Sequence, residues 1–331
     1  MPTPIIKTAI RRWPLKRSFA ISRHVFTDNL VLEVTIEVDG IQGRGECEPH
    51  EFDVAVTRSA EAAVLALDHA AWNHLDPAAL NATLPRSPWR NAIDCALWDL
   101  KAKREERRIW EVLELDISAH DTFPVFETIA LDTPEKMADF ARQAVGAPGL
   151  KLKLGSADGR DCERLEAVRA AAPGLELTID ANEGWSIDQL SDILPLARRH
   201  DVTCIEQPVP AAIEVGLSSL PRLVPLCADE SCLDRSSLPQ LRGLYDMINI
   251  KLDKTGGLTE ALALQQQAGA MGFKTMIGCN GGSSLAQAPA VLLAPTAVMV
   301  DLGSHWLAED HLPSLDTTDH RIGLPKAELW G

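Results

Sequence analysis

From residue 125 onward, eight short β-like runs recur along the chain: VFETIAL, GLKLKLG, LELTID, VTCIEQP, PLCADES, MINIKLD, FKTMIGC and AVMVDLG. Near the end of each stands a marker residue: Thr128, Lys153, Asp180, Glu206, Asp229, Lys251, Gly278 and Asp301. Successive markers lie 22 to 27 residues apart. That is the length of one βα unit, since a parallel crossover adds a dozen or more residues to its strand. Eight such units with helix-like runs between them predict a (β/α)8-type barrel, with a doubly wound open sheet as the alternative. Six of the eight markers are charged, and each stands where an apolar run stops. Barrels of this kind carry their active sites at the C-terminal ends of the strands. Charges on exposed helices would show no such phase, so the pattern favours the barrel.

The first hundred residues read differently. IIKTAIRRW and LVLEVTIEVDGIQGRGEC have the character of antiparallel strands, joined around Asp39-Gly40. WRNAIDCALWDLKAKREERRIWEVL is the clearest helical stretch, with Ile93, Ala96, Leu97 and Leu100 at helical spacing. The polar, turn-rich ELDISAHDTFP marks a boundary. An α+β unit over 1–118 is therefore expected ahead of a barrel over 119–310. Apolar residues form 46% of the 331, enough for a substantial core, and the net charge of −15 argues against nucleic acid and anionic membranes as partners. Seven cysteines without a CxxC pair point to reduced thiols and a cytoplasmic protein. No secretory-type N-terminal stretch and no run of ~18 apolar residues is present, so no membrane span is expected.

GLKLKLG alternates lysine with leucine, which sends Lys151 and Lys153 to one side of their strand. Either that side is wet, or two cations line a site. The other strand ends decide between these readings. Asp180, Glu206 and Asp229 belong to three neighbouring strands, and three ionised carboxylates held together require a cation. Oxygen ligands with room for water and substrate suit Mg2+, with Mn2+ as a substitute. Lys251 comes from strand six, across the barrel from strand two. A substrate carboxylate at the metal would lie between Lys153 and Lys251, a geometry suited to moving the proton α to that carboxylate. The metal and Lys151 would stabilise the resulting enediolate. One lysine takes the proton and the opposite one returns it, provided burial, neighbouring lysines and the metal lower the lysine pKa.

KLKLG, DANEGW, IEQP, ADES and NIKLDKTGGLTEAL, in this order and with these spacings, together with RNAIDCALWDL in the N-terminal unit, resemble the enolase superfamily, muconate-lactonizing subgroup, across nearly the whole chain. Within it the sequence looks most like the dipeptide epimerases of the L-Ala-D/L-Glu type. The resemblance implies a modified TIM barrel, an N-terminal capping domain, and a final segment, 311–331, that returns to it. It implies Lys153 and Lys251 as the acid/base pair, Asp180, Glu206 and Asp229 as Mg2+ ligands, and Asn182 and Glu230 as their supports. A small-molecule carboxylate is the implied partner, and a homo-oligomer the implied assembly. Lys254 reads as a supporting or surface residue rather than a third base. Thr128 matches a substrate-facing threonine. Arg23, in SFAISRH, matches an arginine that pairs with a glutamate side chain, its other reading being a surface arginine.

Strand eight departs from that pattern. Dipeptide epimerases usually carry Asp-x-Asp there to hold a free ammonium group, whereas VDLGSH keeps Asp301 and has Gly303 in the second place. Loss of an anion suits a neutral N-acyl group. CNGGSS, over 279–284, consists of small residues that leave space or flexible backbone. HEFDVAVTRS also lacks the YGES-like sequence common in these epimerases. An N-acetyl-D-glutamate racemase is therefore the rival to a dipeptide epimerase. Further alternatives are a cycloisomerase or o-succinylbenzoate synthase-like lyase on the same lysine frame, a Schiff-base aldolase, and a non-catalytic barrel binding protein. His50, His305 and His311 read as structural or solvated, Trp98 and Trp185 as packing residues, and Gly256-Gly257 as a βα turn.

Overall fold

The computed structural model describes residues 4–49, 53–67, 76–117 and 120–331. Three antiparallel strands open the chain: β1 (Ile5–Ala20), β2 (Val25–Val38) and β3 (Ile41–Cys47). Asp39 and Gly40 link β2 to β3 with φ of 53° and 81°, and Val38 pairs with Ile41. Two successive positive φ values give the two-residue hairpin turn whose twist matches its strands. The alternating residues Leu32, Val34, Ile36 and Val38 are buried together with Ile93, Ala96, Leu97 and Leu100 of the helix Pro88–Glu105. Ser87 caps that helix by accepting from the Arg90 amide at 3.2 Å, with Pro88 at its first position. The long helical stretch expected from sequence is split. Glu106 turns left-handed at φ 51°, and a short helix restarts over Ile109–Val112.

Strand β4 (Thr122–Pro124) precedes eight parallel strands: β5 (Glu127–Ile129), β6 (Gly149–Lys153), β7 (Glu176–Asp180), β8 (Val202–Glu206), β9 (Leu226–Ala228), β10 (Met247–Ile250), β11 (Lys274–Gly278) and β12 (Met299–Asp301). They form one sheet in unbroken chain order from β5 to β12, so each expected run is a strand of a barrel rather than of an open doubly wound sheet. β5 and β12 meet at a seam where the Phe126 amide donates to Val300 O at 3.2 Å. The intervening helices are unequal. Those at Pro134–Gln143, Asp161–Ala171, Ile187–Arg199 and Leu258–Ala270 are full crossovers, whereas Ala211–Ser219 and Ala290–Thr296 are 3-10. After β12 the chain runs without a helix into β13 (Thr317–Thr318) and β14 (Arg321–Gly323), where β14 pairs with both β13 and β4.

The floor of the barrel is a soft apolar plug of Phe126, Cys204, Cys227, Met247, Met276 and Met299. The Phe126 ring occupies the space a Cβ on Gly149 would need, 2.3 Å away, so glycine starts β6 for lack of room. One strand period above this plug, Cys204 gives way to Glu206, Met247 to Asn249, and Met299 to Asp301. The same alternation that buries sulfur below thus aims polar groups at the mouth.

The C-terminus ties the N-terminal unit down. Trp330 is fully buried and donates Nε1 to Cys95 O at 3.0 Å, while the Gly331 amide donates to Asp99 Oδ1 at 2.7 Å. The 118/119 boundary expected from sequence lies outside the described residues. Gly256 and Gly257, at φ 74° and 138°, are sites of close approach rather than a simple βα turn. Their missing Cβ atoms leave room for Arg90 and Asp94 of the helix Pro88–Glu105. Among the described residues no helix is long and apolar enough to cross a membrane.

Gly45 packs β3 directly on that helix, and a Cβ there would lie 2.1 Å from Ala92 O. Backbone cannot give way as a side chain can. Gly45→Ala is expected to cost roughly 1–3 kcal/mol of stability, whereas Gly174→Ala, which meets nothing within 4 Å, should melt with the parent. Thermal unfolding followed by circular dichroism checks the difference.

Candidate active site

Lys151 and Lys153 both project into a cavity at the C-terminal ends of the strands, between the barrel and the β1–β2 hairpin. The wet-face reading of GLKLKLG fails on burial, because Lys151 is 1% exposed. Its Nζ lies 2.7 Å from Asp301, 2.7 Å from Glu206 and 3.1 Å from Asp180. Lys153 reaches Asp180 at 2.5 Å and Asn182 Oδ1 at 3.1 Å. Lys251 enters the same cavity and sits 2.7 Å from Asp229. Its strand β10 is four places from β6 in the eight-strand order, so the two lysines face each other across the barrel.

Register explains the carboxylates. Asp180 pairs with Glu206 across β7 and β8, and with Lys153 across β7 and β6. Asp229 follows immediately after β9. Asp180, Glu206 and Asp229 are essentially inaccessible. Lys254 is mostly buried. It donates to Asp229 Oδ1 and to the carbonyls of Asp229 and Asn249, anchoring the carboxylate from behind. Asn249 donates to Glu206 Oε1 at 2.8 Å. Sequence reasoning passed over Asn249, although it shares the inward face of MINIKLD with Lys251.

Charge balance governs this layer. Burial by itself would lower the ammonium pKa of Lys151, but Asp301, Glu206 and Asp180 outweigh it and hold the value well above that of an ordinary lysine. Lys251 is likewise lowered by burial yet raised overall by Asp229, Glu206 and Glu230. Lys151 and Lys251 are thus the counter-ions of the carboxylates. Burial raises Asp180 and Asp229, but Lys153 and Lys151, and Lys251 and Lys254 respectively, bring both below the normal range. Glu206 goes the other way, pushed up by burial and by Asp180. Its Oε2 has no hydrogen-bond partner among the described residues and depends on the Lys151 ammonium group.

Among the described residues, no three carboxylate, thiol or imidazole groups are gathered as a ready-made ligand set. Lysine ammonium groups take that place between the oxygens. The donor chemistry nevertheless fits a hard divalent cation. It comprises three buried carboxylates from consecutive strands, one of them under-compensated.

The supporting and substrate positions are also placed. The Asn182 amide donates to Asp180 Oδ1 at 2.9 Å, and its side chain reaches Glu230 Oε1 at 3.4 Å. Asn182 and Glu183 hold φ of 43° and 64°, a bend that returns Asn182 to the cavity. Arg23 donates to Asn182 O at 3.0 Å and pairs with Glu230 at 3.1 Å and Glu183 at 3.3 Å. It joins the capping hairpin to the loops after β7 and β9 and does not line the cavity. On the hairpin side the cavity cations are Lys16 and Arg17. They follow from a shift in the β1–β2 register between Pro14 and Phe19 that no local pattern announces.

Thr128 donates to Asp301 Oδ1 at 3.0 Å. Gly303 has φ 145°, its amide donates to Gln287 Oε1, and a Cβ there would lie 2.6 Å from His305 Nδ1. The second strand-eight position is therefore shaped for glycine. The small residues after β11 are close-approach sites as well, since a Cβ on Gly281 would meet Glu48 Oε2 at 2.6 Å. His305 lines the cavity, whereas His311 lies 3.4 Å from Glu46 and edge-on to Trp13. Trp185 and Trp98 pack and donate to Asp161 and Thr259. His50 and the start of HEFDVAVTRS lie outside the described residues.

Residues 5–113 match the mandelate racemase / muconate lactonizing enzyme N-terminal domain, and residues 136–326 the enolase C-terminal domain-like family. An L-Ala-D/L-Glu epimerase of Escherichia coli K12 is 39% identical over 326 residues, spanning 96% of this chain and 99% of its own. An N-acetyl-D-glutamate racemase of a Pseudoalteromonas species is 37% identical over 308 residues, 91% and 95% of the two chains. An Agrobacterium tumefaciens enolase family member with homology to dipeptide epimerases, solved with sodium and L-Ala-L-Glu, superimposes with TM-score 0.92 at 40% identity, covering 99% of this chain and 100% of its own. A Cytophaga hutchinsonii dipeptide epimerase, solved with Mg and D-Ala-L-Val, gives 0.89 at 25% identity over 98% and 93%. With its fold, its two matched domains and relatives that are racemases and epimerases, the chain belongs to the enolase superfamily, in the mandelate racemase/muconate lactonizing branch, and is an isomerase of amino acid derivatives.

Proposed function

We propose that this chain moves a proton at the α-carbon of an N-substituted acidic amino acid, an L-Ala-D/L-Glu-type dipeptide or N-acetylglutamate. The observation that carries the reading is the placement of Lys153 and Lys251 on opposite strands of one cavity, with buried carboxylates between them. Asp180, Glu206 and Asp229 are the residues that would hold Mg2+, or Mn2+ in its place. When bound, the cation supplies positive charge that acidifies the α-proton of a neighbouring carboxylate substrate.

This chain's own residues do the rest. A substrate carboxylate drawn to the positive charge of Lys151 leaves its α-carbon between Lys153 and Lys251. Lys251, on parting from Asp229, loses the charge that holds its pKa up and moves toward a useful base. Lys153 takes the proton on one face and Lys251 delivers one on the other, or the reverse. Lys151 is enclosed by three carboxylates and stays charged, so it serves as a fixed positive charge for the enediolate. Asn182 and Glu230 hold Lys153 and Arg23 in place. Thr128, Asp301 and Gly303 shape the end of the cavity toward the seam, and Arg23 can pair with a distal substrate carboxylate if it leaves Glu230.

The organisation that accompanies this reading is a capping domain over 1–118, a catalytic barrel over 119–310 and a terminal segment over 311–331. The setting is a cytoplasmic homo-oligomer acting on a small carboxylate. Cycloisomerase or o-succinylbenzoate synthase-like chemistry would use the same lysines, but the epimerase and racemase relatives favour 1,1-proton transfer.

Proton NMR in D2O with Mg2+ tests the reading. The parent enzyme should exchange and invert the α-hydrogen of L-Ala-L-Glu or N-acetylglutamate. Lys153→Ala and Lys251→Ala should each lower inversion by roughly 10²–10⁴-fold, each retaining exchange for one epimer only, and not the same one. Retained inversion in either variant refutes the two-base scheme. EDTA should abolish exchange, Mg2+ should restore it and Mn2+ should support it. Full activity after chelation would exclude the metal assignment.

A further inference from the structure

The cavity wall at the seam contains a carboxylate that no strand-end pattern marked. Glu127 stands one residue before Thr128, yet it lines the catalytic cavity together with Asp301 and His305. It also lines a second cavity outside the seam, which shares Glu127 and His305 with the first and continues along Val125, Leu302 and His320. Glu127 is thus a common wall between the proton-transfer chamber and a space beyond it.

The two wall carboxylates at this end are differently engaged. Asp301 is consumed, accepting from Lys151 at 2.7 Å and from Thr128 at 3.0 Å. Around Glu127 the imidazoles are loose. His305 Nε2 lies 3.7 Å from Oε1, and His320 Nδ1 lies 3.5 Å from Oε2. Charge-assisted hydrogen bonds are roughly 2.7–2.9 Å long, so Glu127 retains capacity for a closer donor. Burial pushes the Glu127 carboxyl pKa up, but His305, His320 and Arg17 outweigh it and keep the group below the ordinary glutamate range. Glu127 therefore faces the catalytic cavity as an anion.

Resting on the racemase/epimerase reading above, we propose that Glu127 is a specificity-determining residue that receives a primary ammonium group on the substrate's N-substituent. Asp301 is tied to Lys151, and Gly303 offers no side chain, so the end of β12 presents no uncommitted carboxylate of its own. Glu127 supplies one from the neighbouring strand across the seam. A free amine would replace the loose imidazole contacts with a charge-assisted bond, whereas a neutral acetamide leaves the carboxylate without a strong donor. This selects a dipeptide with a free N-terminus over an N-acetyl amino acid, the reverse of what Gly303 alone suggests.

The test measures α-proton exchange with L-Ala-L-Glu, N-acetyl-L-Ala-L-Glu and N-acetyl-L-glutamate, using parent enzyme and Glu127→Gln in the presence of Mg2+. In the parent, the free dipeptide should exceed its N-acetylated form at least tenfold in kcat/KM. Glu127→Gln should reduce the preference for L-Ala-L-Glu over N-acetyl-L-glutamate at least tenfold, mainly through KM, and Glu127→Asp should restore part of it. A parent that handles the free and acetylated dipeptides equally overturns the assignment even if the variants do not fold. So does a preference unchanged in Glu127→Gln, or a parent active on N-acetyl-L-glutamate alone, while both outcomes leave the racemase reading standing. A parent that exchanges none of the three compounds overturns that reading and this assignment with it.

Discussion

The barrel mouth depends on a charge balance in which Lys151, Lys153, Lys251 and Lys254 neutralise Asp180, Glu206, Asp229 and Asp301 inside a nearly dry layer. Neither set is tolerable without the other. Removing one partner of a buried ion pair leaves an uncompensated charge, which costs about 3–5 kcal/mol. The backbone must therefore deliver these groups to within bonding distance of one another. It does so through parallel strands in consecutive register, each turning its last inward residue to the same level. The apolar plug of Phe126, cysteines and methionines beneath the charges provides a water-excluding floor.

The same balance prepares the site for chemistry. A network of ammonium and carboxylate groups is held at equilibrium by mutual attraction, so a new cation or a substrate carboxylate redistributes the pairs. Glu206 is the sensitive member, raised by burial and by Asp180 and linked to a single ammonium group. Lys254 keeps Asp229 fixed from outside the cavity while Lys251 approaches from within. The capping unit closes the chamber from above. Its hairpin contributes Lys16, Arg17 and Phe19, and Arg23 fastens it to the loops after β7 and β9.

Close approaches between the two parts are made by glycine. Gly256 and Gly257 admit Arg90 and Asp94, and Gly281 admits Glu48. Asp94 in turn accepts from the Thr259 amide at 3.0 Å and so caps a barrel helix from the other unit. These contacts account for positions that look, in isolation, like flexible turns.

The sequence by itself determined the eight strands, the inward phase of Lys151, Lys153, Asp180, Glu206, Asp229 and Lys251, and the Asp39-Gly40 hairpin. All of these follow from alternation and turn chemistry within a few residues. Tertiary structure decided what each charge faces. The pKa values of Lys151 and Lys251 run upward because their carboxylate partners come from other strands. Glu106 interrupts a helix whose periodicity reads as continuous. Arg23 finds Glu230, 207 positions away, and Glu127 lines the cavity beside Thr128 although alternation would place them on opposite faces. Periodicity is a local property of the chain, whereas charge compensation and space are settled by residues that meet only after the barrel has formed.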